Sequence, residues 1–126
     1  MDSETLLLRQ INPCFVQNGR LTSQAFRPTP KDENMLSVEN GHKIEPSASW
    51  ERFTSSPECR SVGVMAVTFT ECSGQDLPVV EDGVPFPEHC SIDFSGLSKS
   101  LIEKKAKVLA QYAIQRNWLF KAIQEV

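Results

Sequence analysis

Residues 61–69 (SVGVMAVTF) form an uncharged nine-residue run rich in β-branched side chains. A strand with one wet face alternates apolar with polar residues, and this run does not. It therefore needs cover on both sides, which predicts an interior strand of a sheet. Gly63 within it has no side chain and lets another group approach the backbone closely.

The second constraint is helical. From Ser98 onward, Ile102, Ala106, Leu109 and Ala113 recur on one face, and Leu101, Val108 and Tyr112 widen the stripe. Ser100 with Glu103 fits a capping box, Glu103 with Lys107 an i,i+4 ion pair, and Asn117 a left-handed stop.

Shorter segments fill in the rest. Residues 5–11 (TLLLRQI) read as a first strand ended by Asn12-Pro13, and 21–27 (LTSQAFR) as a second, stopped by Pro28. Residues 35–38 suit a short strand or one turn before Asn40-Gly41. Residues 46–55 suit a short helix capped by Ser47, with Trp50 and Phe53 on one face. Residues 70–77 suit a turn of helix, and the proline-rich 78–87 a loop. In 90–94, Cys90, Ile92 and Phe94 point inward and Ser91 and Asp93 outward. Residues 118–123 read as a last short strand, with a continued helix as the alternative. The expected fold is α+β: a single small twisted sheet of about four to six strands, one long C-terminal helix packed on one face, and a short helix near 47–55. The 126 residues are read as one globular domain.

Charge is segregated along the chain. No Lys or Arg occurs from Ser61 to Ser98, and then Lys99, Lys104, Lys105 and Lys107 arrive together. Residues 1–60, 61–98 and 99–126 carry about −1, about −6 and about +4. The net charge of −3 argues against a general nucleic-acid binder, though not against a local basic patch. The start MDSETLLLRQ lacks a signal-peptide pattern, and no apolar run approaches the ~20 residues that span a bilayer. No membrane partner, a cytoplasmic location and reduced thiols are therefore expected. Cys14, Cys59, Cys72 and Cys90 match no zinc spacing, and no phosphate loop or other cofactor motif is present, so neither metal nor cofactor is expected.

Two sets of residues are candidates for contact with other molecules. The first is the polar side of the last helix (Lys99, Lys104, Lys105, Lys107) with the acidic stretch Glu71, Asp76, Glu81, Asp82 and Glu88. Opposite charges of this kind select partners and speed encounter, which points to a protein-interaction module: an adaptor, inhibitor or immunity-type partner of another protein. The bland reading of each is a solvated face. The second is Arg9, Thr22, Ser23, Arg27 and Lys31, where cations and hydroxyls around rigid prolines suit a phosphate or carboxylate. Its bland reading is an edge strand leading into a surface loop. Arg9 on a first strand with Thr22-Ser23 on a later one resembles ADP-ribosyltransferase-like domains. The resemblance implies a small nucleotide- or RNA-modifying enzyme and requires a catalytic acid, for which Glu51 and Glu71 are the available types.

His89, between Glu88 and Cys90 with Asp93 nearby, has the composition of a base–thiol cluster. Strand alternation sends His89 and Cys90 to opposite faces, however. Cys72, at a strand end, is either a thiol of lowered pKa or a small buried hydrophobe.

Overall fold

Residues 1–122 are described by the structure, a computed structural model. In chain order they form β1 (Leu6–Gln10), β2 (Val16–Gln17), β3 (Arg20–Leu21), β4 (Met35–Asn40), α1 (Pro46–Phe53), β5 (Gly63–Thr68), α2 (Phe69–Ser73), β6 (Val79–Val80), β7 (His89–Asp93), α3 (Lys99–Arg116) and β8 (Phe120–Lys121). Six strands make one antiparallel sheet in the order β6-β7-β4-β1-β5-β8, and β2 and β3 pair as a separate ribbon.

The uncharged run behaves as its composition demands. All six residues of β5 are buried, and both faces of the strand are covered. Met65 and Val67 lie in the larger core with Leu7, Leu36, Val38, Ile92 and the α3 residues Ala106, Leu109 and Ala113. Val64 and Ala66 point the other way, into a smaller core with Leu8, Ile44, Trp50 and Phe120. Trp50 and Phe120 meet there at 5.2 Å between ring centroids. The long helix thus covers one face and α1 part of the other, as the fold class requires. β4 and β1 are the central pair, and β5, paired with β1 on one side and with β8 added on the other, is an interior strand one place from the edge. Gly63 allows that addition: a Cβ there would strike the carbonyl of Phe120 and come within 2.9 Å of the Trp118 ring.

Several boundaries differ from expectation. Residues 21–27 are not a strand: only Arg20–Leu21 is extended, and Ser23–Phe26 winds into a 3-10 turn. The neighbours Ala25 and Phe26 both enter the same core, whereas a strand would send them to opposite faces. α1 takes Glu45 rather than Ser47 as its N-cap, since the fixed φ of Pro46 suits the first helical position. In α3 the cap is Ser98, whose Oγ accepts from Leu101 N at 3.3 Å; the expected Ser100–Glu103 box does not form. The 78–87 loop contains the edge strand β6. Of 118–123, Phe120–Lys121 is strand, and Ile123 lies outside the described residues.

Candidate functional site

The polar side of α3 faces water. Lys99, Lys104 and Lys107 are exposed, while Lys105 is half-buried and donates through Nζ to the carbonyl of Gln75. Leu101 and Ile114, at the two ends of the same helix, are also exposed.

The acidic stretch is mostly used within the fold. Glu71 closes a capping box at the start of α2, accepting from Thr68 N at 2.8 Å while Thr68 Oγ1 accepts from Glu71 N at 3.1 Å. It also binds Arg116. Glu88 is buried and paired with Arg52. Asp82 holds His89 Nδ1 with one oxygen and Ser91 Oγ with the other, the latter at 2.7 Å. Burial alone would raise the Asp82 pKa, but the bonds from His89 and Ser91 outweigh it and hold the carboxyl below its ordinary value. The same contest at Glu88, burial against Arg52, ends in the same direction. Asp76 and Glu81 remain exposed.

The second candidate set is not gathered. Arg9 turns inward and donates to two carbonyls, Nε to Ala25 O at 2.8 Å and Nη1 to Ser37 O at 3.0 Å. Burial lowers its pKa to about 10, which leaves it charged at neutral pH. Thr22 Oγ1 donates to Phe15 O, and Ser23 Oγ accepts from the exposed Arg27 at 3.3 Å. Lys31 is exposed on a 3-10 turn. Of the acids named by type, Glu51 is exposed on α1 and Glu71 is held by Arg116. Thr22-Ser23 also lies at the start of a turn rather than on a strand, so the backbone setting of the ADP-ribosyltransferase resemblance is absent.

A different group assembles on the α1 side of the sheet. Arg52 bridges Glu39 and Glu88, and its guanidinium carbon stacks 3.7 Å from the centre of the Phe86 ring. Ser49 Oγ donates to Glu39 and accepts from Gln10 Nε2 at 2.8 Å. Beside these groups is a cleft of about 600 Å³ whose lining includes Arg9, Gln10, Glu39, Arg60, Phe86 and His89. A second hollow of about 500 Å³ lies between the β2–β3 ribbon and α3, lined by Arg20, Ser23, Lys107 and Trp118 among others. The sequence reading missed Arg52 and Glu39. A signal existed for Glu39: alternation puts Met35, Ser37 and Glu39 opposite Leu36 and Val38, on the face a short helix would cover.

Cys72 and Cys90 are buried hydrophobes. Burial pushes the Cys72 thiol up to about 12 and the Cys90 thiol to about 11, the reverse of activation. His89 and Cys90 do lie on opposite faces of β7. Among the described residues no group of three His, Cys, Asp or Glu is placed to hold a metal ion, and no helix is long and apolar enough to cross a membrane. No protein-family model, curated protein or solved structure matches the chain.

Proposed function

We propose that this chain is a small protein-interaction module whose docking element is the outer face of α3. One stripe carries the reading: Leu101 and Ile114 stand 44% and 49% exposed with the exposed Lys104 and Lys107 between them. At 3.6 residues per turn Leu101 and Ile114 lie about 140° apart around the axis, so they flank the outer face on its two sides, with Lys104 and Lys107 between them, over about 20 Å of helix. Large apolar groups held in water beside lysines suit a partner that offers apolar pockets rimmed by carboxylates. The exposed Asp76 and Glu81 add a field of opposite sign that favours one orientation of approach. Arg9, Arg27 and Lys31, which a nucleotide-modifying enzyme would need together, do not converge, and this favours the interaction module.

Two paired variants test it: Lys104→Glu with Lys107→Glu, and Leu101→Ala with Ile114→Ala. Each changes surface groups, so thermal stability should stay within about 1 kcal/mol of the parent. A partner cross-linked to the parent at low salt and lost from both variants supports the proposal. Equal capture by parent and variants, or no capture by the parent, overturns it.

A further inference from the structure

The sheet is forked. β1 and β4 are neighbours but pair only at Leu7↔Asn40 and Leu8↔Glu39. Each continues on its other side, β1 with β5 to Gln10↔Val64 and β4 with β7 to Met35↔Asp93. The next two pairs, Arg9 with Val38 and Gln10 with Ser37, are not made. Arg9 instead sends its guanidinium to Ser37 O, a carbonyl the ladder would otherwise have used. The 600 Å³ cleft includes this fork, with residues of β1, β4 and α1 in its lining.

Charge in the cleft is unbalanced. Arg9, Arg52 and Arg60 line it against one carboxylate, Glu39. Both oxygens of Glu39 are engaged, Oε1 accepting from Ser49 and Oε2 paired with Arg52, and Arg52 is neutralised by Glu39 and Glu88 together. Arg9 and Arg60 have no carboxylate among the described residues. A guanidinium has five N–H donors, and two carbonyls occupy only two of those on Arg9. Gln10, next in β1 and directed to the opposite face, lines the same cleft, and its Oε1 is buried with no donor, the one such side-chain atom among the described residues. A buried acceptor left unpaired costs free energy, and a bound molecule with an N–H or O–H would remove that cost. Phe53 and Phe86 at the same cleft are 37% and 42% exposed.

We infer that the fork is a binding site for a small organic anion. Its oxyanion head, phosphate or carboxylate, pairs with Arg9 and Arg60; an adjacent N–H or O–H donates to Gln10 Oε1; a planar or apolar body lies against Phe53 and Phe86. The site spans the fork, with Arg9 reaching it from the face of Leu7 and Gln10 from the face of Leu8, and the inference is independent of docking through the outer face of α3.

The test is an amide-resolved NMR titration of the full chain with three probes: inorganic phosphate, adenosine monophosphate and N-acetylphenylalanine. The nucleotide and the acylated amino acid both carry a planar body and a donor, and they separate a phosphate head from a carboxylate head. Saturable shifts centred on Gln10, Ser37 and Cys59 with either organic probe are expected, with inorganic phosphate weaker. Arg60 is exposed, so Arg60→Ala should keep the parent spectrum and weaken that probe about tenfold. No saturation by any probe up to about 10 mM, a range that covers weak single-site binding, overturns the inference. So does binding that Arg60→Ala leaves unchanged, or shifts confined to α3.

Discussion

Arg116 holds Glu71 by two parallel hydrogen bonds, Nη1 to Oε1 at 3.0 Å and Nη2 to Oε2 at 2.9 Å. The same Nη1 donates to Ala66 O at 3.0 Å, so one side chain at the end of α3 ties β5 and the cap of α2 together. Both partners are mostly covered, with side-chain exposures of 25% and 16%. Arg116→Ala strands a carboxylate and a carbonyl at once and should cost about 2 kcal/mol, below the range for fully buried pairs. Adding Glu71→Gln should recover part of that loss. Urea denaturation of the two single variants and the double measures the coupling; strict additivity would show that the pair contributes nothing.

Acid should weaken the fold through Asp82 and Glu88. Both carboxyls titrate lower when folded than their ordinary values of 3.8 and 4.5. Their stabilisation is therefore complete above those values and is lost as pH falls through the lower folded ones. Asp82→Asn and Glu88→Gln should each flatten the acid side of a stability–pH curve measured from pH about 2 to about 7, the span in which carboxyls titrate. An unchanged acid limb in both variants would refute the assignment.

Gly63→Ala should push β8 away from the sheet. The new methyl meets the Phe120 carbonyl and the Trp118 ring, and overpacking of this kind costs about 1–3 kcal/mol. Thermal denaturation reads the loss, and tryptophan emission should shift to the red as Trp118 gains water. A variant as stable as the parent would mean that the β5–β8 contact is loose.

Thiol reactivity should divide the cysteines. Cys14 is exposed and should react with a disulfide reagent in the native protein, with the half-buried Cys59 slower. Cys72 and Cys90 should react only on unfolding, because both are buried and carry raised pKa values. Rapid labelling of Cys72 in the native state would place it outside the core.

The acidic stretch shows how far local reading goes. Counting charges correctly marks residues 61–98 as acidic. It does not reveal that Glu71 meets Arg116, 45 residues away, or that Glu88 meets Arg52, 36 away. Nor does the lone Arg9 in a leucine-rich strand disclose whether its partner is a carboxylate, a ligand or, as here, a pair of carbonyls. Residues 21–27 depart from a strand for a related reason: period-two alternation is weak there, and Ala25 and Phe26 are drawn together into a core built by distant residues.

Burial of both faces of residues 61–69 and the amphipathic stripe of α3 were determined by the sequence, because side-chain direction follows strand and helix geometry over a few neighbours. Sheet order, the fork between β1 and β4, and the choice of which charges stay free were decided only by tertiary structure. Those features depend on which remote backbone and side-chain groups arrive within hydrogen-bond reach, and a one-dimensional pattern carries no distance between Arg9 and Ser37 or between Arg52 and Glu88.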